Sequence, residues 1–436
     1  MQHQVLRGKT QKRIVKAEGC NITDDQGKTY LDALAGLWCV NVGYGRKELA
    51  AVAQMEMEKL SYLAPIMACD AVLALAEKLK NLLGFESHVY FSVSGSEANE
   101  AAFKIVRQYQ LQSGKPGEYR YKIISRYRAY HGNTMGAMAA TGQAERKIGY
   151  DPFPPGFVHI MPPYHYRANP TLTPEEHGEE CAKSLEETII HEGPKTVAAF
   201  IMEPVISGGG ILVPPDNYIP RVREICDEYG VLLIFDEVVS GFGRTGSMFG
   251  YQHWNTEADV FTFAKGLASG YMPIAATVVK EHVFEKFYGD EGGLNHFRQI
   301  NTYGSHPVAA AVGLQCLKIV EEENLVGNAQ RVGEYIRANL HDRLRDHPYV
   351  GEIRGKGLLI GVELVSDKER KKPVENVKIA EIVSSCMEHG VIVGRNSNTV
   401  PGRCNILVMA PPLILTIRQA DVIIDAVCKS LERAIS

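Results

Sequence analysis

The feature that most constrains this chain is a recurrence of short, wholly apolar runs, each followed by a turn and then by a segment of helical period. Val197-Ala-Ala-Phe-Ile-Met202 and Val231-Leu-Leu-Ile-Phe235 show no alternation of polar and apolar residues. Both faces of such strands must be covered, as in a parallel sheet with helices on either side. Between them Tyr218–Tyr229 reads as a helix that Gly230 ends. Earlier, His88-Val-Tyr-Phe-Ser-Val-Ser94 reads as a strand, Gly95 as a turn, and the residues from Ser96 as a helix with a capping serine and an acidic first turn. The fold class is therefore α/β, with a mostly parallel sheet in a large domain.

After about Pro307 the pattern becomes helix-rich, and Gly351–Leu364 and Gly390–Pro411 add glycine-punctuated strand candidates. A smaller α+β domain is expected there, and the first forty or so residues join it through a hairpin signal at Ile22-Thr-Asp-Asp-Gln-Gly-Lys-Thr-Tyr-Leu-Asp32. The expected division is a large domain over 45–310 and a small one built from 1–44 and 311–436.

Lys and Arg (47) nearly balance Asp and Glu (51), for a formal charge of -4, so no basic footprint for nucleic acid exists and small molecules are the expected partners. The basic start lacks the apolar stretch of a signal peptide, and no later run approaches a membrane span, so a cytoplasmic location is expected. The nine cysteines are scattered without a CxxC, which argues against a disulfide framework or a structural zinc site.

Three segments carry chemistry. Ser94-Gly95-Ser96 lies where a strand hands over to a helix, so backbone N–H groups converge on a point where a phosphate fits. Standing alone the tripeptide is better read as an ordinary capped helix. The apolar run Val231–Val239 carries Asp236 and Glu237 near its C-terminal end, and period two puts Asp236 and Val238 on one face and Glu237 on the other. A carboxylate there can keep a pyridine nitrogen protonated, although a structural aspartate bonded to loop N–H groups explains the strand equally well. Lys265 follows 29 residues after Asp236 (265 − 236), ending the apolar Val260-Phe-Thr-Phe-Ala264 and preceding Gly266. A solvated surface charge is a poor account of such a lysine. An amine that forms a Schiff base needs partial desolvation, which favours its neutral form.

With these segments in place, the chain resembles the class III, or ω-, aminotransferases of pyridoxal-phosphate fold type I. The likeness covers nearly the whole chain, from Gly27-Lys-Thr-Tyr-Leu-Asp32 and Ala35-Gly-Leu-Trp-Cys-Val-Asn-Val-Gly-Tyr-Gly-Arg46 to Ala410-Pro-Pro-Leu413. Its most specific blocks are Phe235-Asp-Glu-Val-Val-Ser-Gly-Phe-Gly-Arg-Thr-Gly246 and Phe263-Ala-Lys-Gly-Leu267. The resemblance implies pyridoxal 5'-phosphate as cofactor, held as a Schiff base on Lys265, with its phosphate at Gly95 and Ser96. It implies that Tyr130, beside His131, stacks on one ring face, that Val238 covers the other, that Asp236 pairs with the ring nitrogen, and that Glu203 holds the network near the ring hydroxyl. Thr302 of Thr302-Tyr-Gly-Ser-His-Pro307 matches a threonine that reaches the phosphate of a neighbouring subunit, which implies a homodimer and leaves a tetramer open. Trp38 matches a residue at the pocket entrance.

Gly241-Phe-Gly-Arg-Thr-Gly246 also fits a dinucleotide fingerprint, GxGxxG after a strand. The residues that follow lack the helical apolar period the fingerprint needs, so a nicotinamide-dependent dehydrogenase is the weaker reading. A catalytically silent binding protein conflicts with the intact Lys265, Asp236 and phosphate loop. Within the family, Gly36–Arg46 and Gly209-Gly-Ile-Leu-Val-Pro-Pro215 look most like pyruvate-using transaminases of ω-amino acids and amines, including taurine–pyruvate aminotransferases. A ping-pong transfer from an amine donor to an α-keto acid acceptor is expected, with taurine, β-alanine, a longer ω-amino acid or a polyamine as donor. Such enzymes commonly carry an arginine ten residues before the Pro-Pro pair, where this chain has Pro401. Arg403 is the expected substitute for holding the acceptor carboxylate, with Arg395 as the alternative.

Overall fold

The structure, a computed structural model, describes residues 12–290 and 292–434. Residues 1–11 of the basic N-terminal stretch lie outside the described residues. The chain opens on β1 (Ile14–Glu18), β2 (Asn21–Asp24) and β3 (Thr29–Asp32), an antiparallel meander in which the hairpin expected over Ile22–Asp32 is β2–β3.

The central sheet follows. In chain order its strands are β4 (Ser87–Ser92), β5 (Lys122–Arg126), β6 (Phe157–Ile160), β7 (Val197–Met202), β8 (Leu232–Asp236), β9 (Val260–Phe263) and β10 (Ala275–Lys280). They lie in the order β4-β10-β9-β8-β7-β5-β6, parallel except for β10, which runs antiparallel to both neighbours. Every residue of β7, β8 and β9 is buried, as the unbroken apolar runs require of strands covered on both faces. Helix Tyr218–Tyr229 has the expected bounds, and Gly230 ends it in the left-handed conformation (φ 63°).

Beyond helices Pro307–Glu322 and Leu325–Leu344 come β11 (Val350–Lys356), β12 (Leu359–Asp367), β13 (Lys372–Pro373), β14 (Val391–Ile392), β15 (Gly394–Arg395) and β16 (Ile406–Met409). A second sheet runs β11-β12-β16-β15, with β13 on β12. β14 pairs parallel to β3, so the N-terminal meander and the C-terminal segment share a sheet. Among the described residues no helix is long and apolar enough to cross a membrane.

Two boundaries differ from the sequence reading. The strand within the run Val231–Val239 ends at Asp236, because the Val238 N–H turns back to Asp236 Oδ1 at 3.1 Å, an Asx-type turn that takes the chain out of the sheet. The helix expected from Ser96 starts at Gly95, and its cap is Ser94, whose Oγ accepts from Glu97 N–H at 3.3 Å. The glycines at 241–246 lead into turns and a short 3-10 segment, Gly250–Trp254, with no α-helix behind them to receive a pyrophosphate.

Candidate active site

Gly95, Tyr130, His131, Glu203, Asp236 and Lys265 gather at the carboxyl ends of the parallel strands, where open α/β sheets place their ligands. β4 leads to Gly95, β5 to Tyr130 and His131, β7 to Glu203, β8 to Asp236, and β9 to Lys265. One sheet edge thus positions groups far apart in sequence.

Asp236 is almost fully buried (3% exposed), so it must be partnered. Its Oδ2 accepts from Asn99 Nδ2 at 2.8 Å and faces His131 Nδ1 at 2.8 Å, while Oδ1 accepts the Val238 N–H. Asn99 is itself fixed, donating to the His131 carbonyl at 2.6 Å and accepting from Thr262 Oγ1 at 2.8 Å. The carboxylate is held in one orientation, and Oδ1 keeps a lone pair for one more donor. His131 therefore stands behind Asp236. Donation from its Nδ1 is the role assigned by that partner, and it leaves Nε2 as an acceptor.

Glu203 is equally buried and bridges two backbone groups, accepting from Tyr130 N–H and Ser207 N–H, both at 3.0 Å. Burial pushes its carboxyl above the usual range, His131 opposes that shift, and Asp236 adds to it. Lys265 is half-buried, with its backbone in the left-handed region (φ 45°). Burial lowers the affinity of its amine for a proton, while Asp236, Glu203 and Cys39 oppose that by their charge. A neutral amine becomes more accessible than at an exposed lysine.

Half-buried Tyr130 and Val238 stand among these groups. Val238 packs with Ala98, Ala264 and Ala275, and a Cβ added at Gly95 would sit 3.0 Å from Val238 Cγ1. Trp38 is half-buried with φ 62°, and its ring borders Gly208, where an added Cβ would lie 3.8 Å from Cη2. Left-handed backbone at non-glycine positions costs about 1 kcal/mol or more and persists where surrounding structure enforces it, which here includes both Trp38 and Lys265.

The two arginines left open by the sequence part company. Arg395 donates to the Asn376 carbonyl at 3.1 Å, at the start of helix Asn376–Glu388. Arg403 is exposed on the loop after β15, and its charge acts on Arg128. Thr302 lies exposed on a turn, its carbonyl accepting from Tyr62 at 3.1 Å.

Sequence reasoning missed two further groups. Asn99 looked like an ordinary residue in an acidic first turn. Arg146 lies over the Tyr130 ring, 5.1 Å from its centroid, with Nε bonded to Gln143 Oε1 at 2.6 Å. Among the described residues its terminal nitrogens have no hydrogen-bond partner. The loop bearing Arg403 rests on the same short helix, Ala144–Lys147, through Glu145 N–H to the Thr399 carbonyl at 3.2 Å. No motif announces Arg146, since its place depends on that helix folding under Tyr130.

These residues fit pyridoxal phosphate by the chemistry of their donor set. The N–H groups of Gly95 and Ser96, at the start of a 19-residue helix, have no partner among the described residues and suit a phosphate. A buried, oriented carboxylate, an aromatic ring and a desolvated lysine complete the set. Fold and site together define a pyridoxal-phosphate-dependent enzyme of fold type I.

The model of the aminotransferase class-III family matches residues 5–434, and the chain belongs to that family. It is 48% identical to an uncharacterized aminotransferase of Bacillus subtilis, YhxA, over 96% of this chain and 91% of that protein. It is 42% identical to the hypotaurine/taurine–pyruvate aminotransferase of Paracoccus denitrificans, again over 96% and 91%. The crystal structure of a Bacillus anthracis aminotransferase superposes with a TM-score of 0.92 at 47% identity, over 99% of this chain and 96% of that one.

Proposed function

We propose that this aminotransferase moves the amino group of an ω-amino acid or amine, such as taurine or β-alanine, to pyruvate, giving alanine in a ping-pong cycle. The observation that carries an acidic acceptor is the open guanidinium of Arg146 lying over Tyr130. A planar fork beside the ring pocket suits a carboxylate in two-pronged contact. Arg403 approaches the same helix on its loop, and Arg395 is tied elsewhere, so Arg403 is the second grip.

The bound cofactor supplies an electron sink that eases removal of a proton from the carbon bearing the amino group. The protein's part follows from its own groups. Gly95 and Ser96 N–H groups would hold the phosphate, Tyr130 and Val238 would flank the ring, and Asp236 would keep the ring nitrogen protonated. Glu203 keeps Tyr130 in place through its backbone N–H. Lys265 would tether the cofactor covalently, and as a neutral amine its Nζ would take a proton from the carbon bearing the amino group and return it. Trp38 and Gly208 form a wall at the entrance.

We also read 45–310 as the large domain, and 1–44 with 311–436 as the small one; the β3–β14 pairing supports that grouping. A homodimer is supported by the exposed apolar side chains Ile66, Met67, Leu294, Ile300 and Tyr303, which a second copy would cover. The cytoplasm suits a chain whose nine cysteines are all free thiols.

The deciding experiment is Lys265→Ala purified with pyridoxal phosphate. It should lose both the visible absorption of lysine-bound cofactor and all transamination between β-alanine and pyruvate; persistence of either sinks the assignment. For the acceptor, half-reactions against a panel of keto acids should favour pyruvate, and a strong preference for 2-oxoglutarate would refute it.

A further inference from the structure

A buried ionic cluster joins the C-terminal sheet to the loop that walls the substrate pocket. Glu363, on β12, is fully buried. It accepts from Arg167 Nε at 2.7 Å, from Arg354 Nη1 at 2.7 Å, and from the Tyr164 hydroxyl. Arg354, on β11, also pairs with Glu352 and bonds the Tyr164 hydroxyl through Nη2 at 3.1 Å. A carboxylate this deep is costly unless fully bonded; burial pushes it up, and the two arginines outweigh that and hold it below the usual carboxylate range.

Arg354 spends its remaining donors on one short loop. Nη2 donates to the Gly210 carbonyl at 2.8 Å, and Nε reaches the carbonyls of Gly210 at 3.2 Å and Ile211 at 3.0 Å. Gly210 has φ 122°, and an added Cβ would lie 2.3 Å from Ile406 Cδ1 on β16, so this loop is pressed against the C-terminal sheet. Its other end is held from the opposite side, where Ser207 N–H donates to Glu203, the carboxylate that also takes the Tyr130 N–H. Arg128 adds a bond to the Gly209 carbonyl at 3.1 Å. Gly208, the residue against Trp38, lies between the two anchors.

We propose that Arg354, oriented by Glu363 and Tyr164, is a positioning residue that sets the distance of the Gly208–Gly210 wall from Trp38 and so selects the size of the amine. Its contacts are to backbone carbonyls, so the loop's position depends on where the C-terminal sheet holds the guanidinium. This rests on the pocket placement proposed above. Lys265→Ala tests that placement, whereas exchange of the loop amides tests the present inference without turnover.

The variants are Arg354→Lys, which keeps a charge but loses the fork, and Tyr164→Phe, which removes a single hydroxyl and keeps the packing. In both holoenzymes, hydrogen exchange at residues 207–212 should quicken by about tenfold while helix Tyr218–Tyr229 stays protected. With pyruvate as acceptor, the kcat/KM ratio of 1-phenylethylamine to β-alanine should rise by about tenfold, through KM more than kcat, the scale expected of a changed pocket wall. Quicker exchange with an unchanged ratio in both variants would show a structural bond only and overturn the proposal. Unchanged exchange in both would overturn it as well.

Discussion

A carboxylate-binding arginine must be close to the reacting carbon, open at its two terminal nitrogens and shielded enough to matter. Arg146 meets the last two conditions better than exposed Arg403, because it is half-buried over the Tyr130 ring and Gln143 takes only its Nε. Arg146→Gln should raise KM for pyruvate by about ten- to a hundredfold, the loss of one charge-assisted contact, with little change for an amine that lacks a carboxylate. Arg403→Ala should act in the same direction and more weakly. Steady-state kinetics with 1-phenylethylamine and pyruvate check both, and equal effects on the two substrates would remove these arginines from the acceptor site. In the sequence Lys265 stands out because it ends an apolar strand, where a solvated charge is a poor account, whereas Asp236 has an equally good structural explanation and Glu203 enters only through the resemblance. Arg146 and Asn99 do not stand out, since both sit on helices whose partners come from distant segments.

At the scale of elements, the turn after β8 depends on Glu237, which period two sends to the face opposite Asp236. It is fully buried and accepts from Ser240 Oγ at 2.6 Å, Gly250 N–H at 2.9 Å and Tyr251 N–H at 2.7 Å, tying the segment 240–251 under the sheet. Burial outweighs these bonds and lifts its carboxyl to about 7. The folded protein therefore holds this proton over a pH range in which the unfolded chain, near its ordinary 4.5, has released it. Stability from this group is complete below about 4.5 and is lost as pH rises toward 7, by at most about 1.4 kcal/mol per pH unit. Glu237→Gln should flatten that part of the pH–stability curve, measured by chemical denaturation between pH 5 and about 7.5; an unchanged slope would place the titration elsewhere. Alternation along Val231–Val239 puts Glu237 opposite Asp236, although β8 itself ends at Asp236. Its partners came from a glycine-rich stretch that resembles a dinucleotide loop, and only the fold shows that stretch wrapping around a carboxylate.

For the whole molecule, the proposal of a shared site turns on Thr302. Thr302 lies exposed on a turn beside Tyr62 and Tyr303, whose rings are 6.3 Å apart, in the same apolar region proposed as the subunit interface. If each Thr302 completes the phosphate site of its neighbour, then Thr302→Ala removes a bond to a charged group, worth about 2 kcal/mol, and should weaken cofactor binding by roughly thirtyfold at both sites of a dimer. Lys265→Ala damages the site of its own subunit and leaves its Thr302 intact. A mixed dimer of the two variants then contains one site with both residues and one with neither. Refolding the variants together should restore tight cofactor binding and transamination at half of the sites in mixed dimers, although neither parent shows full function. Were Thr302 to serve its own subunit, each mixed dimer would hold one site lacking only Lys265 and one lacking only Thr302, and titration with cofactor would reveal no site of native affinity that also turns over.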